Sequence, residues 1–352
     1  MNEAPLIYDL TFDELEKTLI GLGEPRFRAR QIWHGLYRRL SDDPSSLTDL
    51  PSALRARLGL AFRFRAGEAR ATARSNDGST EKVLLQLVDG AEIEAVLMRY
   101  EHRRTACIST QAGCAMGCVF CATGQMGFAR NLTSGEIVAQ VLHFARRLAA
   151  EGERLTNVVV MGMGEPFHNY EATMAAIDRL NDPEGLDFGA RRFTISTVGL
   201  VPIMERFTNE DRQVNLAVSL HAATDDLRSR LLPINRRYPL GALLAACRAY
   251  VERTGRRLSF EWALIDDVND TPQQAEALAA LLKGLTCHVN LIPLNPTNLY
   301  AGKGSPRERA AAFRERLRSR GIACTVRVRR GIEIQAGCGQ LATERRARAA
   351  IG

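Results

Sequence analysis

The stretch from Cys107 to Asn131 constrains this chain more than any other. It reads C-I-S-T-Q-A-G-C-A-M-G-C-V-F-C-A-T-G-Q-M-G-F-A-R-N, and half of the chain's eight cysteines fall within its first fifteen residues. Cys114, Cys118 and Cys121 have the spacing C-x3-C-x2-C, with Phe120 just before the last. Three thiolates on one glycine-containing loop suit a metal group with more than one centre. A structural zinc ion is normally closed by four ligands, often as two C-x2-C pairs. No second such pair and no H-x3-5-H follows here. A 4Fe–4S cluster held by three cysteines leaves one iron open to bind a substrate. The alternative is a zinc loop closed by Cys107 or by a distant residue, but the spacing fits an iron–sulfur site better.

The 352 residues suffice for one large α/β domain with appendages. The apolar content, 45%, is that of a globular protein. No apolar run is long enough for a transmembrane helix. The opening Met-Asn-Glu-Ala-Pro lacks the basic region and apolar stretch of a secretory signal. Together with the thiolate-rich loop, this makes the reducing cytoplasm the expected compartment. Lys+Arg 47 against Asp+Glu 40 gives a net charge of +7, and most of the positive charge is Arg. Arg grips phosphate at two points and stacks on bases. The excess favours an anionic partner, with solvated arginine faces as the alternative.

Residues 1–62 read as a small helical domain that could touch nucleic acid. Helices are expected over 11–21, 25–39 and 52–58. Their apolar positions include Leu15, Leu19 and Ile20 in the first and Phe27, Ile32, Trp33 and Leu36 in the second. Residues 63–100 read as a β-linker, with strands at 82–87 and 92–97 joined by the hairpin signal Asp89-Gly90. From residue 105 the pattern becomes strand, loop, helix. Strands are expected at 106–109, 157–161, 193–197, 215–219, 258–264 and 288–293. Thr133-Ser134-Gly135-Glu136 is a capping-box sequence that opens a helix near Ser134. Six strand–helix units point to parallel strands in an open or partial barrel. Residues 301–352 form an extension with a basic helix (306–320), a strand (324–328) and a glycine-flanked cysteine, Cys338.

Functional residues in such folds sit on loops at the carboxyl ends of strands. After the second strand comes Met161-Gly162-Met163-Gly164-Glu165-Pro166, where glycines admit close backbone approach to a ligand. Glu165 is placed to accept hydrogen bonds from an ammonium group. Ser196-Thr197, Ser219-Leu220-His221 and Leu294-Asn295-Pro296 follow the third, fourth and sixth strands. Each alone reads as a turn or cap; recurring at one end of successive strands, they read as the lining of one cavity.

C-x3-C-x2-C with an aromatic before the last cysteine resembles the signature of radical S-adenosylmethionine enzymes. The wider set, with Cys107 seven residues before the cluster, G-M-G-E-P, I-S-T-V-G, S-L-H-A, L-I-P-L-N-P and A-G-C-G-Q-L, resembles the RlmN family of RNA methyltransferases. The resemblance spans most of the chain. Phe167-His168 after Pro166 and an extra residue between Ser196 and Ser219 depart from the family pattern. The fold it implies is α/β: a partial (β/α)6 radical-SAM barrel over 101–300, with the N-terminal helical domain, the β-linker and a C-terminal extension carrying the methyl-accepting cysteine.

The activity it implies is methylation of carbon 2 of an adenine in the peptidyl-transferase region of 23S rRNA and of the adenine next to the anticodon in some tRNAs. Cys114, Cys118 and Cys121 would hold a 4Fe–4S cluster. Gly164, Glu165, Ser196, Ser219, Leu220, His221 and Asn295 would contact S-adenosylmethionine, and Phe120 would lie beside its adenine. Two S-adenosylmethionine molecules would serve each methylation. One methylates Cys338; the other yields a radical that takes hydrogen from that methyl group. The methylene radical adds to the adenine, Glu94 takes the ring proton, and Cys107 attacks Cys338 to form a disulfide and free the product. An external electron donor and a monomeric enzyme are expected. Cys247, Cys287 and Cys324 match no motif and read as structural. The competing readings are a Cfr-like carbon-8 methyltransferase and a zinc-stabilised RNA-binding protein without catalysis.

Overall fold

The computed structural model describes residues 4–343; residues 1–3 and residues 344–352, the end of the expected C-terminal extension, lie outside the described residues. Three helices open the chain. In α1 (Phe12–Gly21) the Thr11 hydroxyl accepts the Glu14 N–H and the Glu14 carboxylate accepts the Thr11 N–H, a reciprocal cap. α2 (Phe27–Tyr37) buries Ile32, Trp33 and Leu36, and α3 (Ser52–Ala61) buries Leu54 and Leu58. Two residues expected on these apolar faces point outward: Ile20 is 48% and Phe27 57% exposed. Ile20 follows Leu19 by about 100° of helix rotation, which carries it off the buried stripe. The Arg28 guanidinium covers the Phe27 ring at 4.8 Å.

The helical module is held to the rest by buried and partly buried polar contacts. Trp33 Nε1 donates to Asp182 at 2.9 Å. The Asp9 carboxylate accepts the Gly135 N–H at 2.7 Å, and Arg179 donates to the Tyr8 carbonyl.

The main sheet has ten strands. β1 (Gly67–Arg74), β2 (Thr80–Leu87) and β3 (Glu92–Arg99) form an antiparallel meander, with Gly90 at φ +82° in the turn between β2 and β3. β3 pairs antiparallel with β4 (Arg104–Cys107), with Val96 opposite Cys107. Residues 63–100 therefore extend the barrel sheet itself. β1 was not expected from sequence: G-E-A-R-A-T-A-R offers only small and charged side chains. It forms an edge that is mostly exposed, and charged side chains keep such an edge from pairing with other chains.

β5 (Gln111–Gly113) and β6 (Phe128–Asn131) make a separate two-stranded ladder around the cysteine loop, which carries the single turn α4 (Ala122–Gln125). Then α5 (Ser134–Ala149), β7 (Asn157–Val160), α6 (Tyr170–Asn181), β8 (Phe193–Thr197), α7 (Val201–Asn209) and β9 (Asn215–Ser219) alternate. The pattern continues through α8 (Asp225–Leu231), α9 (Leu240–Thr254), β10 (Leu258–Leu264), α10 (Pro272–Leu282), β11 (Cys287–Pro293), α11 (Arg307–Ser319) and β12 (Cys324–Val326). The expected capping box at Thr133 is present. β4, β7, β8, β9, β10 and β11 run parallel in that order, giving the expected six-stranded partial barrel. β12 adds a further parallel strand beyond it. Among the described residues, no helix is long and apolar enough to cross a membrane.

Candidate active site

The parallel strands bring their carboxyl ends to one cavity, as open α/β sheets do. Its wall comprises the cysteine loop, the Met161–Glu165 segment, Ser196, Val198, Ser219, His221, Glu261, Ala263, Leu294, Asn295 and Cys338. Ten of the thirteen predicted site residues are on that wall: Cys114, Cys118, Cys121, Gly164, Glu165, Ser196, Ser219, His221, Asn295 and Cys338. Cys107, Glu94 and Leu220 are not. None of Cys247, Cys287 and Cys324 lines it either.

The cysteine loop is pinned at its base. Cys114 N–H donates to the Gly127 carbonyl at 2.9 Å, continuing the β5–β6 ladder. Gly113 is required there, since it sits at φ +78° and a Cβ would lie 2.0 Å from the Gly127 oxygen. Further along, Val119 N–H donates to the Leu231 carbonyl at 3.1 Å. Burial pushes the Cys114 thiol up to about 12 and the Cys118 thiol well above its ordinary value, and the neighbouring cysteines add to both shifts. A metal bound among these thiols would favour their thiolate forms. Among the described residues, no three His, Cys, Asp or Glu side chains converge on a single-ion site. Three neighbouring thiols on the wall of one cavity would suit a multi-iron cluster.

Glu165 faces these thiols across the cavity. It is 2% exposed. One carboxylate oxygen accepts the Phe167 N–H at 3.0 Å and the other the Val198 N–H at 2.9 Å, fixing the group between the ends of β7 and β8. Burial raises its pKa to about 7 against the pull of these bonds. Among the described residues no cation pairs with this buried carboxylate, which suits the ammonium group of an amino-acid ligand. Gly164 (φ +102°) lets this strand end pass Gln111, whose Cβ would lie 2.6 Å from an added Cβ.

Ser196 and Ser219 end adjacent strands with their hydroxyl oxygens 3.3 Å apart. His221 sits at φ +59°, in a turn closed by the Ala222 N–H to the Leu220 carbonyl at 2.8 Å. Its Nδ1 accepts the Ala263 N–H at 2.9 Å, so the neutral ring carries its proton on Nε2. Burial, helped by Arg228, lowers its pKa to about 3 and keeps it neutral. Its ring meets Phe120 edge-on, with centroids 5.0 Å apart. Leu220 has its side chain fully buried in the core; its N–H donates to the Glu261 carbonyl at 3.0 Å.

The Cys338 loop is fastened to the cavity from several sides. Asn295 Nδ2 donates to the Cys338 carbonyl at 3.1 Å. Ala122 N–H donates to the Gly339 carbonyl at 2.8 Å, and Thr123 Oγ1 donates to the Leu341 carbonyl at 2.6 Å. Cys338 is exposed at the opening. Protein still packs closely enough round its sulfur for burial to raise the thiol pKa, while Arg327 pulls it back. Cys107, at the end of β4, is half-buried; burial pushes its thiol up to about 12, and the nearby Cys338 adds to the shift. All eight cysteines are free thiols.

Glu94, on β3, is 4% exposed. One oxygen pairs with Lys82 Nζ at 2.6 Å and the other accepts the Ala342 N–H at 2.9 Å. It therefore braces the base of the Cys338 loop.

Sequence reasoning missed three residues of this site: Arg228, Gln340 and Glu261. Gln340 donates to the Pro296 carbonyl at 3.1 Å and accepts the Gly337 N–H at 3.1 Å, bracing the Cys338 turn. Glu261 carries one readable signal, a charge in the middle of the apolar strand F-E-W. Arg228 carries none. It is fully buried and donates to the carbonyls of Val198 (2.7 Å), Leu220 (3.2 Å) and Ser219 (3.2 Å) and to Asn235 Oδ1 (2.9 Å). Burial lowers its pKa to about 10. Arg228→Met removes the donor shared by four acceptors, of which the Leu220 carbonyl keeps the Ala222 N–H. It is expected to cost about 3–5 kcal/mol, the scale for breaking a buried charged network. Denaturant unfolding measures this, and a variant as stable as the parent would remove the role given to Arg228.

Residues 108–282 match the radical SAM superfamily, and residues 6–62 match the ribosomal RNA large subunit methyltransferase N-terminal domain. A dual-specificity RNA methyltransferase RlmN of Myxococcus xanthus is 51% identical over 347 residues, covering 98% of this chain and 97% of that protein. A probable dual-specificity RNA methyltransferase RlmN of Chloroflexus aurantiacus is 50% identical over 351 residues, covering 97% and 93%. The crystal structure of a radical SAM methyltransferase from Sphaerobacter thermophilus, 55% identical, superposes with a TM-score of 0.95 over 97% of this chain and 100% of that one. Similarity of this depth along nearly the whole length means that the chain belongs to the RlmN family of radical SAM enzymes.

Proposed function

We propose that this chain is a dual-specificity RNA methyltransferase acting on carbon 2 of an adenine in 23S rRNA and of the adenine beside the anticodon in tRNAs. One observation carries the reading. Cys338, a thiol suited to carry a methyl group, opens onto the same cavity as the three thiols of the cysteine loop and Glu165. The relatives favour this over the carbon-8 reaction, and membership of the superfamily favours it over a zinc-stabilised binding protein. We assign the activity to the cytoplasm, to a monomer and to an external one-electron donor.

Superfamily membership brings a 4Fe–4S cluster and S-adenosylmethionine. The bound pair supplies a carbon-centred radical, which the reaction needs because carbon 2 of adenine is electron-poor and not a nucleophile. Cys114, Cys118 and Cys121 would hold the cluster. Glu165 receives the cofactor's ammonium group, with Gly164, Ser196, Ser219, His221 and Asn295 around it and the backbone of Leu220 holding the strand end. The Cys338 thiolate first takes a methyl group by displacement, so each product consumes two S-adenosylmethionine molecules. Asn295 and Gln340 hold the Cys338 turn over the cavity. Holding reactants in place can supply about 7–11 kcal/mol of a barrier.

Glu94 is assigned the ring proton, which its place at the base of the Cys338 loop supports. Glu94→Gln keeps an acceptor for Ala342 but loses the base. It is expected to slow methylation by about 10²–10⁴, the usual contribution of a positioned base. A slowing under about tenfold would leave Glu94 with bracing alone.

The proposal as a whole is tested by nucleoside mass spectrometry of RNA from cells with and without this gene. Loss of 2-methyladenosine from both 23S rRNA and tRNA is the expected result. Loss of an 8-methyl product instead, or of neither, would contradict it.

A further inference from the structure

Two carboxylates line the cavity, and the reading above uses only Glu165. Glu261 lies in the middle of β10 between Phe260 and Trp262, both fully buried in the core. Strand alternation therefore turns Glu261 to the opposite face, into the cavity. It is 5% exposed. Its Oε1 accepts from Asn290 Nδ2 at 2.8 Å and lies 3.8 Å from the Arg327 guanidinium. Asn290 is fixed in turn by Thr325 Oγ1, 3.1 Å away. The register of β9, β10, β11 and β12 sets Ser219, Glu261, Asn290 and Thr325 in one row across four strands. Glu261 Oε2 is buried and has no hydrogen-bond partner among the described residues. A buried acceptor without a donor is costly, and one held on rigid strands in a cavity wall marks a place for a ligand donor.

The position of this oxygen selects the ligand. The cofactor's amino-acid end is assigned to the cysteine loop and Glu165, at the ends of β4 and β7. Glu261 belongs to the other flank, beside Arg327, whose charge acts on Cys338. The base to be methylated must present carbon 2 to Cys338. In adenine, carbon 2 and the amino-bearing carbon 6 flank the same ring nitrogen, so both lie on one edge of the base. A carboxylate oxygen accepts from that amino group and repels the carbonyl oxygen that guanine and hypoxanthine carry at the same carbon. We propose that Glu261 Oε2 receives the amino group of the target adenine and thereby sets the choice of base, an assignment that rests on the methyltransferase reading above.

The test uses the full-length holoenzyme and three RNAs with adenosine, purine riboside or inosine at the target position. Single-turnover methylation is read by nucleoside mass spectrometry, and S-adenosylmethionine affinity is measured separately. The parent enzyme should prefer adenine to purine and purine to hypoxanthine, with adenine over hypoxanthine by about 100-fold or more. Glu261→Gln replaces the free oxygen with a group that can also donate. It should slow the adenine substrate and narrow the ratio to within about tenfold. Glu261→Asp keeps the charge but withdraws it, so it should slow adenine while keeping the order of preference; it serves as the test if the Gln variant fails to fold. An unchanged base preference in Glu261→Gln, with methylation retained, would overturn this assignment and leave the methyltransferase reading standing. So would a loss of cofactor affinity that accounts for the whole fall in rate, since the amino group would then be the cofactor's. A parent enzyme that methylates none of the three RNAs would overturn both.

Discussion

Cys107→Ala is expected to turn this enzyme into a trap for its own substrate. In the proposed reaction, the carbon carried by Cys338 bonds to the base before it leaves the sulfur. Once the ring proton has passed to the base assigned to Glu94 and one electron has gone to the acceptor that an oxidised cluster would supply, RNA and protein are joined through one thioether carbon. Release requires a thiolate to attack the Cys338 sulfur. The carbon then leaves with the bonding pair and takes up a proton to become the methyl group, and the two sulfurs remain as a disulfide. Cys107, close enough to Cys338 for the two to interact electrostatically, is the thiol proposed for this step. Without it the variant should still load its methyl group and add to the base, then stall as a protein–RNA adduct that survives denaturing gels. Cys338→Ala should form no adduct and no product, although its iron content should match the parent. A Cys107→Ala enzyme that turns over freely would remove Cys107 from the release step.

The second large effect belongs to the cysteine loop. Replacing Cys114, Cys118 and Cys121 together by Ala should abolish iron binding, S-adenosylmethionine binding and methylation at once, because these three thiols are the ligands proposed for the cluster. The loop itself should survive. Its base is held by the β5–β6 ladder and by backbone bonds from Cys114 to Gly127 and from Val119 to Leu231, none of which uses a thiol. Near-parental unfolding behaviour with no iron is the expected outcome. Full iron content in the triple variant would contradict the assignment.

Much of this site was legible in the sequence because its chemistry is written in short spacings. Three cysteines within eight residues, or a glycine pair before Glu165, place groups together before any tertiary contact is known. The parallel strands were legible for the same reason: each is a short apolar run next to a loop of polar groups. What stayed hidden depends on distant partners. Arg228 looks like any charge on a helix, yet its acceptors come from the ends of β8 and β9 and from Asn235. Glu94 and Lys82 lie on neighbouring strands, and only the fold brings Ala342 to the same carboxylate. β1 was hidden because an edge strand of alanine and charged residues has no apolar alternation to detect. Glu261 was visible as an oddity, but only the pairing of β10 with β11 shows that one of its oxygens is bonded by Asn290.

The central claim is that the methyl group passes through Cys338, and isotope tracing of the first turnover tests it most directly. Enzyme produced with ordinary S-adenosylmethionine carries an unlabelled methyl on Cys338. It is then given RNA and S-adenosylmethionine bearing a fully deuterated methyl group. The account predicts that the first product carries no deuterium. Later products should keep two of the three deuteriums, because one is abstracted and the last hydrogen comes from solvent. A first product carrying all three deuteriums would mean direct transfer from the cofactor and would contradict the role given to Cys338.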